Sequence, residues 1–195
     1  MLGSHTLTDL VEKAAKNGVT AVQLREKDTP IRECIQIAQE LKQVLDPLGV
    51  PLIINDRVDV ALAVDADGVH LGQMDFPQEL ARKILGKEKI IGLSAESSQD
   101  AELAEQLDVD YLGISPVFTT PTKTDTTTEW GLNGLKEVAR KSRHKLVAIG
   151  GINSKNAGQV MRHGADGIAV VSAICAANDP ALAAKELRKL VDIID

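Results

Sequence analysis

The chain has 195 residues, 44% of them hydrophobic and 26% charged, which fits one globular domain over residues 1–195 with a sizeable buried core. A formal net charge of −6, no basic runs and only 2% aromatics exclude binding nucleic acid by charge or stacking, and they require an aliphatic core. No apolar run reaches membrane-spanning length and no signal-peptide pattern opens the chain; with two distant thiols, Cys34 and Cys175, this points to the cytoplasm.

Short β-branched runs alternate with longer stretches of helical periodicity. Met1-Leu2-Gly3 reads as the stub of a first strand, and residues 8–17 as the first helix. Strands are expected at 19–25 (VTAVQLR), 51–54 (PLII), 68–71 (GVHL), 90–93 (IIGL), 111–114 (YLGI), 146–149 (LVAI) and 167–171 (GIAVV). The second helix carries Ile31, Ile35, Ala38, Leu41 and Leu45 at helical spacing, and Pro77 and Pro180 fit first helical turns. Three stretches echo one another: Ala66-Asp67-Gly68-Val69, Val109-Asp110-Tyr111-Leu112 and Ala165-Asp166-Gly167-Ile168. Each ends a helix and opens a strand, as one recurring turn would.

Strict alternation with apolar strands means a parallel sheet covered by helices. A dinucleotide or P-loop fold would place its glycine-rich turn early, whereas Gly150-Gly151 comes late. The expectation is an α/β fold, a (β/α)8 TIM barrel whose first strand is truncated or degenerate. Counting the stub, Gly150-Gly151 follows strand seven and Val171-Ser172 ends strand eight.

In such a barrel the residues leaving each strand's C-terminal end face the ligand. The first visible strand exits through Gln23-Leu24-Arg25-Glu26-Lys27, where Arg and Lys suit phosphate oxygens or form a solvated charged loop. Asp56 and Asp75 leave neighbouring strands after Asn55 and Gly72-Gln73-Met74. Two carboxylates without a His or Cys cluster suit a hard cation, Mg2+ before Zn2+; each alone also reads as a helix cap or a turn residue. His70 reads as structural. Ser94 either donates to a ligand or caps a helix, and the hydroxyl-rich loop 116–124, with Lys123, is either a lid or a linker. Gly150-Gly151 with Val171-Ser172 form a second anion cradle of backbone N–H groups, or Gly150 serves a tight turn. Cys34 reads as a helix-face residue, Cys175 as a loop or helix-start residue, and neither as catalytic.

GVTAVQLREK, LIINDRVDVAL, ADGVHLGQMD, IIGLSAES, YLGISPVFTTPTK, AIGGI and ADGIAVVSAI, in this order, resemble thiamine-phosphate synthases over nearly the whole chain from about Thr8. The resemblance implies joining 4-amino-2-methyl-5-hydroxymethylpyrimidine diphosphate to 4-methyl-5-(2-phosphoethyl)thiazole with loss of diphosphate, through a dissociative, carbocation-like step. It implies that Gln23, Leu24, Arg25, Glu26, Lys27, Asn55, Ser94 and Lys123 hold the pyrimidine diphosphate. Asp56 and Asp75 would hold Mg2+, and Thr120, Pro121, Thr122, Gly151, Val171 and Ser172 the thiazole phosphate. Arg25, Lys27 and Lys123 would stabilise the leaving diphosphate. The chain departs from the pattern at Glu96, where many relatives have His, and in its short N-terminal strand. A sister barrel that isomerises the thiazole, or a non-catalytic phosphate-binding barrel, are the alternatives; the retained Arg25, Lys27, Asn55, Asp56, Asp75 and Lys123 favour the synthase. Oligomeric state leaves no mark in the sequence.

Overall fold

The computed structural model describes residues 6–119 and 129–192. Within them, β1 (Val22–Leu24), β2 (Leu52–Asn55), β3 (Gly68–Leu71), β4 (Ile90–Ala95), β5 (Tyr111–Ile114), β6 (Lys145–Ile149) and β7 (Gly167–Ala169) form one parallel sheet. Each strand pairs with the next in chain order. A doubly wound sheet reverses direction at a switch point; an unbroken order curls the sheet one way, as in a barrel. The helices are α1 (Leu7–Lys16), α2 (Ile31–Leu45), α3 (Val58–Ala63), α4 (Gln78–Leu85), α5 (Ser98–Ala104), α6 (Gly131–Ala139), α7 (Ala157–Arg162), α8 (Ser172–Cys175) and α9 (Pro180–Asp192). None of them is long and apolar enough to cross a membrane.

α1 packs against both α2 and α9, so the helical layer closes around the sheet. β7 and β1 do not pair with each other among the described residues. The proposed stub at Met1-Leu2-Gly3 lies outside those residues. Burial reflects the two edges: β3 is buried throughout, whereas β7 is only half-buried and Gln23 of β1 is exposed. Val22 N–H donates to the carbonyl of Pro51, which ties β1 to the start of β2 (3.0 Å).

Two strands are shorter than their apolar runs. β1 begins at Val22 rather than residue 19, because its register spans only Leu52 to Ile54 of β2. β7 stops at Ala169, opposite Ile149, because its partner then turns away through Gly150 and Gly151 at positive φ. Val170 and Val171 therefore have no ladder to join, and the chain enters α8 at Ser172.

The sequence echo proves to be a strand clamp. The carboxylates of Asp67, Asp110 and Asp166 accept from the N–H groups of Leu52, Ile91 and Leu146 (2.8, 2.8 and 2.9 Å). Their own N–H groups donate to the carbonyls of the same three residues (3.0, 2.8 and 2.8 Å). Each Asp thus satisfies both backbone groups of one residue in the preceding strand of the sheet, at the end opposite the candidate site. Buried backbone groups need such partners, and a carboxylate is a strong acceptor.

The core is aliphatic, as the composition requires: Leu41, Leu52, Ile54, Leu71, Ile91 and Leu112 are all fully buried. Thr6 caps α1 by accepting from Asp9 N–H (3.2 Å), and Ser97 caps α5 by accepting from Asp100 N–H (3.2 Å). Pro180 is the first residue of α9, while Pro77 is the N-cap of α4. Cys34 is buried on α2 and Cys175 ends α8; both are free thiols.

Candidate active site

The first cluster forms where β1, β2 and β3 end. Buried Leu24 anchors the end of β1, and Arg25, Glu26 and Lys27 follow it into solvent. Asp56 follows β2 directly, and its N–H donates to the carbonyl of His70 on β3 (2.8 Å). Arg57 N–H then bonds back to Asn55 O (2.8 Å), and this tight turn holds Asp56 at φ 62. An L-residue in the left-handed region is strained, and such strain concentrates at functional sites. Asp56 is not a helix cap: the N-cap of α3 is Arg57, which makes no side-chain capping bond. Instead Arg57 pairs with Asp59 (2.6 Å) and holds its carboxyl below the usual carboxylate range.

Asp75 is the turn residue that one reading expected. One carboxyl oxygen, Oδ2, accepts from Gly72 N–H (2.7 Å) and closes the turn after β3. Its carboxyl also shares a hydrogen bond with that of Asp56. Burial first, then this bond and the charge of Asp75, push the Asp56 pKa up to about 6, against the pull of Lys27 and Arg25. Two carboxyls, a lysine and an arginine therefore stand together as the strand exits suggested.

This donor set fits a hard divalent cation. The pair is oxygen-only, and Asp56 ionises reluctantly because burial and the neighbouring Asp75 carboxyl outweigh the pull of Lys27 and Arg25. No group of three or more His, Cys, Asp or Glu capable of holding a metal occurs among the described residues. A cation here would complete its shell with water and substrate oxygens, as Mg2+ commonly does.

A second cluster, missed in the sequence, lines the interior beneath the first. His70 Nε2 bonds Ser94 Oγ (2.9 Å), and His70 Nδ1 bonds the Tyr111 hydroxyl (2.9 Å). The Tyr111 hydroxyl is also bonded to the Gln23 side chain. The His70 and Tyr111 rings stack, with centroids 5.5 Å apart. Burial, then the charge of Asp110, push the Tyr111 phenol above its ordinary value, so it stays protonated. Ser94 is thus engaged with His70, and the capping role falls to Ser97. The carbonyl of Ser94 accepts from Gln73 Nε2 (2.6 Å). Asn55, half-buried, ends β2 beside this network.

The readable signal was the pair of glycines inside strands. A Cβ on Gly92 would lie 2.1 Å from Tyr111 Cζ, and one on Gly113 would lie 2.8 Å from His70 Cε1. Strand glycines mark such close approaches.

The late exits form the third cluster. Gly150 and Gly151 have φ of 100 and 65, and a Cβ on either would meet Pro116 or Phe118 at 2.7 or 2.8 Å. Val117 N–H donates to Ile149 O (2.8 Å) and Phe118 N–H to Gly150 O (3.2 Å). The glycines thus let the segments leaving β5 and β6 lie against each other, so the tight-packing reading of Gly150 holds. Asn156 braces the same loop, accepting from Asn153 N–H (2.8 Å) and donating to Gly151 O (3.0 Å). Val171 and Ser172 are exposed at the start of α8.

Thr120, Pro121, Thr122 and Lys123 lie outside the described residues. The flanks of their loop are tied down. Trp130 donates through N–H to Pro116 O (2.9 Å) and through Nε1 to Ala95 O (3.1 Å), and the Thr119 hydroxyl bonds the Glu129 carboxylate. The loop therefore starts and ends beside the exits of β4, β5 and β6.

Known proteins resemble this chain in sequence and fold. The family model described as thiamine monophosphate synthase matches residues 1–174. A thiamine-phosphate synthase of Albidiferax ferrireducens is 54% identical over 192 residues, which cover 98% of this chain and 88% of that protein. One from Vibrio parahaemolyticus is 52% identical over 187 residues, covering 96% and 92%. The solved thiamine phosphate pyrophosphorylase from Pyrococcus furiosus superposes with a TM-score of 0.89 at 43% identity, covering 96% of this chain and 90% of that one. A 3-hexulose-6-phosphate synthase structure, at TM-score 0.73 and 20% identity over 94% of this chain and 92% of its own, shares the fold alone. With identity above half over almost the whole chain, on a matching TIM-barrel-like fold, the chain belongs to the thiamine-phosphate synthase family.

Proposed function

We propose that this site joins 4-amino-2-methyl-5-hydroxymethylpyrimidine diphosphate to 4-methyl-5-(2-phosphoethyl)thiazole, giving thiamine phosphate and diphosphate. The observation that carries the reading is the convergence of Asp56, Asp75, Arg25 and Lys27 on one strand-end face. In the reaction the bond from the pyrimidine methylene to the diphosphate oxygen breaks. The thiazole nitrogen then forms the new bond to that methylene, and diphosphate carries away the electron pair.

The work falls mainly on charge. Arg25 and Lys27 stand where they bind diphosphate oxygens and stabilise the charge gathering on them. By the family resemblance, Lys123 adds to this charge. Asp56 and Asp75 would hold Mg2+, which would supply further positive charge to the leaving group. Gln23, Asn55 and Ser94 orient the pyrimidine, with Gln23 and Ser94 themselves fixed by Tyr111 and His70. Gly151, Val171 and Ser172, with Thr120, Pro121 and Thr122, receive the thiazole phosphate. No general base is required, which agrees with a site whose one buried His is already bonded on both ring nitrogens. A thiazole isomerase has no diphosphate to expel and thus no use for the acidic pair beside Arg25 and Lys27.

Incubation of the protein with both precursors and Mg2+ tests the reading. Thiamine phosphate and diphosphate are expected in equal amounts, and only when both precursors are present. Conversion of the thiazole alone, or no product, contradicts it.

A further inference from the structure

We propose that a second copy of this chain docks along α4, in an antiparallel pairing about a two-fold axis. α4 turns Ala81 and Leu85 toward the core but leaves a second apolar pair facing outward. Of its eight residues only Ala81 is buried, while Leu80 and Ile84, one turn apart, are 49% and 47% exposed. Arg82 flanks the inward pair, donating to the carbonyls of Gly86 (3.0 Å) and Lys89 (2.7 Å) and pairing with Asp110 (2.7 Å). Phe76 just before α4 (37% exposed) and Leu62 on α3, which packs beside α4 (51%), are also exposed. A short helix that buries one side chain gains little from its own core, and neighbouring exposed apolar residues mark a contact surface.

The charges favour a copy of the same chain as the occupant. Glu79 and Lys83 border the Leu80–Ile84 stripe, one toward each end, and neither has an ion-pair partner among the described residues. A two-fold axis at the middle of α4 sets Leu80 against Ile84 of the partner subunit. It also brings Glu79 within reach of Lys83 of the partner subunit, twice over. An isologous contact needs this self-complementarity.

Sedimentation velocity of the full chain from low to several hundred micromolar tests the proposal. A reversible monomer–dimer equilibrium is expected; a monomer throughout overturns it. Leu80→Lys with Ile84→Lys should abolish the dimer with helix content and melting temperature retained, and an unchanged dimer assigns the contact elsewhere. Glu79→Lys alone and Lys83→Glu alone should each weaken the dimer about ten-fold by placing like charges together. The double exchange should restore it. Equal dimerisation in all three charge variants contradicts the pairing.

Discussion

Asp56 combines a strained backbone, a half-buried carboxyl and an acidic neighbour, and its titration reports on all three. Its folded pKa of about 6 lies above the ordinary 3.8, so the folded, metal-free protein holds this proton more tightly than the unfolded chain does. The stabilisation this gives is complete below the unfolded value. It declines between the two values and is lost above about 6. Asp56→Asn should therefore melt higher than the metal-free wild type at neutral pH, by about a few degrees, with the gap closing toward pH 4. Thermal melts of both proteins across this range, without divalent ions, measure the gap; parallel curves would show that the carboxyl pair carries no such cost. The same variant, and Asp75→Ala, should lower Mg2+-dependent turnover by about two orders of magnitude or more while remaining folded. The positions of single residues were partly legible in the sequence. Two acids at adjacent strand exits were visible because the apolar runs of β2 and β3 end within one residue of the strands themselves. The His70–Tyr111–Ser94–Gln23 network was not, because its members lie on four strands and only the curl of the sheet brings them together.

The echoed Asp clamp and the glycine turn are the elements that set the site's frame. Asp67, Asp110 and Asp166 fix the starts of β2, β4 and β6, and each takes part in two backbone bonds. Asp166→Ala should cost about 1–3 kcal/mol, because Leu146 N–H loses its acceptor in a part-buried place. Urea unfolding measures the loss, and a change below about 0.5 kcal/mol would mean water replaces the carboxylate without penalty. Gly151→Ala should cost about 1–3 kcal/mol, since a Cβ there meets Phe118 and the φ of 65 strains an L-residue. It should also weaken thiazole phosphate more than pyrimidine diphosphate, read as separate KM values; equal effects would remove Gly151 from the thiazole half. The repeat was plain in the sequence, but its purpose was not. The partner of each Asp lies 15 to 20 residues earlier on a neighbouring strand, and only the register shows which N–H it meets.

The order of seven parallel strands and the late position of the glycine turn followed directly from the alternation of apolar runs. Strand lengths did not, because a strand ends where its partner turns away, which local composition does not record. At the scale of the molecule, a chain with net charge −6 concentrates Arg25 and Lys27 beside two carboxyls at one end of its sheet. An acidic protein binds a polyanionic substrate through such a local patch, and a divalent ion cancels the acidic half of it. The most direct measurement is a calorimetric titration of diphosphate into the protein with and without Mg2+, repeated on Asp56→Ala. Tight binding to the wild type is expected only when Mg2+ is present, with no Mg2+ enhancement in the variant. Equal binding with and without the ion, or an undiminished enhancement in Asp56→Ala, would contradict a metal-assisted diphosphate site at Asp56 and Asp75.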